Sequence, residues 1–216
     1  MPVSDATPLR ADAQRNLERI LEAARLSFAE YGLEVGVEAI ARRAGVGKAT
    51  FFRRFPSKDM LVLAVMEGFV SDMEDAAERA CAMGDPWEGL RSFMVEHARM
   101  QSENAAFFDA MAARFGDGQR FPEELVERTM GTVERVLEPA QRAGLVREGV
   151  TGGDLMAMLK MLGPAIRPMP EIHIPETSWC RYLELLLSGI RAGQEALPGE
   201  ALDLCELARQ AGRLTA

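Results

Sequence analysis

Residues 37–58 read VEAIARRAGVGKATFFRRFPSK, and their charge and spacing decide how the chain is read. The stretch holds six basic residues, Arg42, Arg43, Lys48, Arg53, Arg54 and Lys58, against one acid, Glu38. The whole chain has 25 basic and 33 acidic residues, a net charge of −8. The segment is therefore +5 and the remaining residues −13. A basic island in an acidic protein suits a polyanion contact, because phosphate needs local positive charge rather than a basic whole. The spacing predicts two short helices, Val37–Ala44 and Lys48–Phe55. They meet at Gly45, which can take the positive φ needed to leave a helix sharply. Pro56 stops the second helix. Val46 plugs the corner, Ile40, Ala41 and Ala44 face one small core, and Phe51 and Phe55 turn inward. Lys48, Ala49, Thr50, Phe52, Arg53 and Arg54 are left facing outward. This is the helix-turn-helix pattern.

A helix this short needs another behind it. Leu17, Ile20, Leu21, Ala24, Phe28 and Tyr31 recur at helical spacing and predict that support over Ala13–Tyr31, ended by Gly32. Residues 1–12 are expected to be loose. Ser57 caps a helix over Lys58–Ala82, and Asp85-Pro86 opens one toward Arg114. Pro122-Glu123-Glu124 opens another to Ala143. Thr151 with Asp154 resembles a capping box before a Met-rich helix, Leu155–Leu162, which ends near Gly163-Pro164. Four prolines in 163–175 predict a loop, followed by a helix over Glu176–Ala192 and a weak one over Glu200–Arg213. With no alternating strand pattern and no repeat, the expectation is an all-α chain. A three-helix helix-turn-helix domain occupies 13–58 and a larger helical domain 59–216.

Other features narrow the function. No apolar run reaches the roughly 18 residues of a membrane span, and MPVSDATPLRADAQ lacks a signal-peptide core, so a cytoplasmic protein is expected. Cys81, Cys180 and Cys205 form neither a disulfide framework nor a metal spacing. His97 and His173 stand far apart, and no phosphate loop, HExxH, GxSxG or CxxC occurs. No catalytic residue, metal or cofactor is assigned, and an enzyme is the poorer reading.

Residues 13–66 resemble the DNA-binding domain of the TetR/AcrR family of transcriptional regulators. The resemblance rests on Ile20-Leu21-Glu22-Ala23-Ala24 with Phe28, Ala29 and Gly32, then Ile40 to Val46, then Lys48 to Lys58, without a gap. It implies that the second short helix lies in the major groove of an operator. Lys48, Ala49 and Arg53 would then face base edges, while Thr50, Phe52, Arg54 and Lys58 lie against the backbone. Val37 and Glu38 would sit near flanking phosphates, with Arg43 and Gly47 part of the same surface. Phe52 replaces the family's usual Tyr, Arg54 a common His, and Val37 a common Thr or Ser. Glu38 either accepts from a cytosine amino group or serves as a carboxylate at a helix N-terminus. Arg42 and Arg43 point about 100° apart, so at most one reaches DNA well. If about four phosphates are neutralised per subunit, a dimer's log–log salt slope is roughly −7.

The remaining residues resemble the family's helical ligand-binding and dimerisation domain. Phe93, His97, Met100, Phe108, Met111, Met158, Met161 and Leu162 are the candidate lining of an effector site. Methionine tolerates varied apolar ligands, and the few aromatics and absent cationic cluster favour a small, fairly hydrophobic effector. His97 either orients that ligand or is a hydrogen-bonded core histidine, and His173 is expected to be exposed. Trp179, Tyr182, Leu183, Leu186, Leu187 and Ile190 form the candidate homodimer face, with Met130–Leu137 a second possibility. The implied protein is a DNA-bound regulator, repression being the family's usual mode, nucleoid-associated when on its operator. Two other readings stay open: a DNA-binding regulator controlled by a protein partner, and a helical enzyme or ligand carrier whose basic segment is only a solvated face.

Overall fold

The computed structural model describes residues 8–116, 122–165, 178–193 and 197–199, with single positions at 201 and 203. Helices α1 (Pro8–Tyr31), α2 (Val37–Arg43), α3 (Lys48–Arg54), α4 (Lys58–Cys81) and α5 (Pro86–Glu103) follow in order. They continue with α6 (Ala105–Gly116), α7 (Glu123–Arg142), α8 (Gly152–Ala165) and α9 (Ser178–Gly189). A single 3-10 turn, Gly32–Glu34, joins α1 to α2. The described residues hold no strand, only an isolated bridge between Val146 and Arg191. The chain is all-α, as its periodicity predicts.

The caps expected from sequence form. Ser57 Oγ accepts from Met60 N–H (3.2 Å), and Asp85 Oδ1 accepts from Trp87 N–H (2.8 Å). Asp154 Oδ2 accepts from Thr151 N–H (2.8 Å), while Thr151 Oγ1 accepts from Asp154 N–H (3.3 Å), a reciprocal box. α1 begins earlier than predicted, at Pro8, where the fixed φ of proline suits a first helical turn.

The helix predicted from Pro86 to Arg114 is broken at Asn104, whose carbonyl accepts from Phe107 and Phe108 N–H (3.0 and 3.1 Å). Asparagine favours such a start because its side chain competes for backbone partners. α8 runs on through Gly163-Pro164 to Ala165. The Pro-rich loop beyond 165, His173, Cys205 and the weak helix over Glu200–Arg213 lie outside the described residues, apart from positions 201 and 203.

The chain divides into two compact units. The first is Met1–Phe69 with Asn104–Ala113, and the second is Val70–Glu103 with Arg114–Ala216. α6 joins the first because Phe107 stacks on Phe28 (centroids 5.7 Å apart) and packs on Phe69 (5.4 Å). Gly32, at φ +61°, lets the chain pass close to the Ala106 carbonyl, 3.3 Å from where a Cβ would stand.

In the second unit, Trp87, Leu90, Phe93 and Met94 of α5 pack with Val133 and Leu137 of α7. Leu155 and Leu159 of α8 and Leu183 and Leu187 of α9 complete that core. Arg128 forks onto Glu74 (3.0 and 2.8 Å), tying α7 to the C-terminal half of α4. No helix among the described residues is long and apolar enough to cross a membrane.

Candidate nucleic-acid interface

The corner between α2 and α3 is built by backbone geometry. Gly45 adopts φ +65°, its N–H bonds the Arg42 carbonyl (3.1 Å), and Val46 N–H bonds the Ala41 carbonyl (3.0 Å). This paired closure ends α2 and satisfies its last carbonyls. Arg19 of α1 reaches over the turn, Nη2 donating to the Gly45 carbonyl (3.4 Å). Ile40, Ala41, Ala44, Phe51 and Phe55 are buried with Ile20, Ala24 and Phe28, the core predicted for them. Phe51 and Phe55 lie 6.1 Å apart, anchoring the inner side of α3.

The outer side is open. Gly47, Lys48, Ala49, Arg53 and Arg54 are exposed, Phe52 is 37% exposed, and Val37, Thr50 and Lys58 are half-buried. The fold therefore leaves most of the predicted α3 residues exposed along one short helix, but it does not leave every cation there unengaged. Lys48 Nζ sits 2.8 Å from Glu38 Oε1 and 5.8 Å from the Phe52 ring centroid. Hydrogen bonding from Lys48 holds the Glu38 carboxyl below its ordinary range. Arg43 forks onto Glu30 of α1 (2.9 and 2.6 Å), which lowers the Glu30 pKa and raises that of Arg43. Lys58 Nζ donates to the Leu33 carbonyl, stitching the start of α4 to the turn after α1.

Arg42, Arg53 and Arg54 have no hydrogen bond or ion pair among the described residues. Sequence reading placed Arg43 on the interface, yet its partner Glu30 lies on another helix with no local signal to reveal it.

The candidate effector residues are not gathered into one unit. Phe108 and Met111 belong to the first; Phe93, His97, Met100, Met158, Met161 and Leu162 belong to the second. Phe93, His97, Met158 and Leu162 are buried, and Met100 is half-buried. Met161 is 58% exposed, because α8 buries Leu155, Met158, Leu159 and Leu162 at helical spacing and position 161 falls on the opposite side. His97 stacks on Phe93 (centroids 6.2 Å), and the Gln101 amide nitrogen lies 3.1 Å from its Nε2. Its Nδ1 has no hydrogen-bond partner among the described residues, and burial pushes its pKa down to about 4.

The candidate dimer residues divide as well. Trp179, Leu183, Leu187 and Ile190 are buried in the unit's own core, Leu186 packs half-buried against it, and Tyr182 is 45% exposed. The broad apolar side of α9 is thus consumed within the chain, and Leu185, outside the predicted face, is 59% exposed.

An exposed cationic helix, braced through a glycine turn on a small three-helix core, defines a helix-turn-helix DNA-binding regulator. Residues 20–65 match the family model described as bacterial regulatory proteins, tetR family. Residues 85–192 match the model described as transcriptional regulator SbtR-like, C-terminal domain. The chain belongs to the TetR family; it is a transcriptional regulator and not an enzyme.

A TetR transcription regulatory protein from Mycobacterium vanbaalenii, known from its crystal structure, is 34% identical. It superposes with a TM-score of 0.63 over 86% of this chain and 100% of that one. The HTH-type regulatory protein RaaS of Mycobacterium tuberculosis is 27% identical over 60% of this chain. The HTH-type transcriptional repressor KstR of Mycolicibacterium smegmatis is 30% identical over 52%. The matched stretches span 58% and 57% of those two relatives.

Proposed function

We propose that this regulator binds a near-palindromic operator as a homodimer, represses transcription from it, and is released by a small, fairly hydrophobic effector. The DNA half rests on one observation: α3 buries Phe51 while it exposes Lys48, Ala49, Phe52, Arg53 and Arg54. Lys48, Ala49 and Arg53 are assigned to base edges, and Thr50, Phe52 and Arg54 to the backbone, with Val37, Glu38 and Gly47 at the flank. Arg42 takes the phosphate role on α2 in place of Arg43, which Glu30 holds. Lys58 reaches phosphate by giving up the Leu33 carbonyl for it. Repression is supported by the likeness to KstR, a repressor by name.

Dimerisation follows from groove geometry, since two recognition helices must enter major grooves about 34 Å apart. The face assigned to it carries Tyr182 and Leu185, three residues apart on α9, large apolar side chains that the second unit leaves exposed. Phe93, His97, Met100, Met158 and Leu162 are the effector candidates of the second unit, and Phe108 and Met111 those of the first. α4 contributes Lys58–Phe69 to one unit and Val70–Cys81 to the other, so it is the covalent lever through which effector binding biases DNA binding.

The test is selection of duplexes from random DNA by the purified chain, followed by binding assays with apolar compounds added. An inverted repeat bound far more tightly than scrambled DNA is expected, with affinity falling when the effector is present. Equal affinity for selected and scrambled duplexes would sink the reading.

A further inference from the structure

Among the described residues, α2 and α3 are bridged by one side-chain contact that touches the candidate base-reading surface. Glu38, in the first turn of α2, and Lys48, the first residue of α3, stand with Oε1 and Nζ 2.8 Å apart. Both side chains are more than half exposed, so neither charge is hidden from a ligand. The Lys48 ammonium also lies over the exposed Phe52 ring, which limits where it can swing. A cation and an anion thus present themselves side by side, one hydrogen-bond length apart.

That spacing has a complement in the major groove. A G·C pair shows, in order, the N7 and O6 acceptors of guanine and then the N4 amino donor of cytosine. O6 and N4 are themselves hydrogen-bonded, at roughly 2.9 Å. An ammonium over N7 and O6 beside a carboxylate on N4 matches this order. An A·T pair places its donor between two acceptors and ends in a methyl group, so the ammonium would meet an amino donor beside N7 and the carboxylate would meet the O4 acceptor.

We propose that Glu38 and Lys48 act as a single reader of one G·C base pair in each half-site, with Lys48 on guanine and Glu38 on cytosine. The proposal rests on the reading of α3 as a major-groove helix. On the other base pairs the amino donor is displaced from the carboxylate, which then faces an acceptor or phosphate while it still holds Lys48. Glu38 therefore works against non-specific binding as well as for the correct base pair. Non-specific affinity falls to cations without a partner among the described residues, such as Arg42 and Arg54.

The experiment uses the full chain and the duplex that wild type selects from random DNA. Fluorescence anisotropy is measured on that duplex, on every single-base-pair variant of one half-site, and on a scrambled duplex, at several salt concentrations. Glu38→Gln, Lys48→Met and the double variant are compared with wild type, each checked for an unchanged circular dichroism melt.

Wild type is expected to lose about five- to a hundred-fold in affinity at one G·C position. Both single variants should flatten the preference at that same position and leave the others, and the double variant should be no worse than either. On scrambled DNA, Glu38→Gln should bind roughly two- to five-fold tighter per subunit, with a salt slope steeper by about one. Single variants that flatten different positions, or none, overturn the proposal. So does an unchanged scrambled-duplex affinity in Glu38→Gln. If wild type selects no sequence, the DNA-binding reading fails and takes this proposal with it. If wild type selects one and the variants behave otherwise, this proposal alone falls.

Discussion

Lowering the pH from 7 to 5 should cost this protein about 2 kcal/mol through one side chain. His97 is buried against Phe93, and burial depresses its pKa from 6.5 to about 4. A histidine whose folded pKa lies below its unfolded value favours the neutral form in the fold. Its contribution is complete above the unfolded pKa and is lost as pH falls toward the folded one. At pH 7 His97 is neutral in the fold and in about three quarters of unfolded chains, so little of the difference is felt there. At pH 5 the unfolded imidazole is protonated and the folded one is not, which gives the difference of about 2 kcal/mol.

Glu30, Glu38 and Glu74 are held below 4.5 by Arg43, Lys48 and Arg128, so their losses begin below this window. Urea unfolding at fixed protein concentration measures the effect, with His173→Gln in every sample so that His97 is the only histidine left. With a slope of about 2 kcal/mol per molar, the midpoint should fall by roughly 1 M between pH 7 and 5. Adding His97→Gln should remove most of that fall. An equal fall with and without His97 would refute the reasoning.

Three further outcomes are expected. Gly45→Val forces a β-branched residue to φ +65° against the Arg19 guanidinium, and should cost about 2 kcal/mol or more, read as a lower melting temperature and weaker operator binding. An unchanged melt would refute the turn argument. Arg42→Ala should reduce the salt slope of DNA binding by about one per subunit, whereas Arg43→Ala should leave the slope nearly unchanged because Glu30 already holds that guanidinium. The reverse ranking would return the phosphate role to Arg43. Tyr182→Asp with Leu185→Asp should shift sedimentation to monomer and leave the fold intact, since both side chains are exposed. A dimer that persists would move the interface elsewhere.

Much of the DNA-binding corner is legible from residues that lie close in sequence. Gly45, Val46, Phe51 and Phe55 state the turn and the inner side of α3, because a helix's periodicity and a left-handed glycine are set within a few residues. The caps at Ser57, Asp85 and Thr151 are read the same way. The break at Asn104 is not legible because the apolar pattern runs through it, and the packing of Phe107 on Phe28 and Phe69 shows where α6 belongs. In α9, helical spacing marks an apolar side but does not say what covers it.

The sequence alone therefore determined that this chain is helical, that 37–58 turns back on itself, and which side of α3 faces out. Those properties follow from local backbone geometry and hydrophobic spacing. The tertiary structure decided which charges remain available and which apolar sides are spent. Glu30 reaches Arg43, Glu38 reaches Lys48 and the Leu33 carbonyl reaches Lys58 only once their helices are packed. Trp179, Leu183 and Leu187 are claimed by the chain's own core, while Tyr182 and Leu185 are left outside. A side chain's type fixes what it can bind, and its distance from groups elsewhere in the fold fixes whether it is already bound.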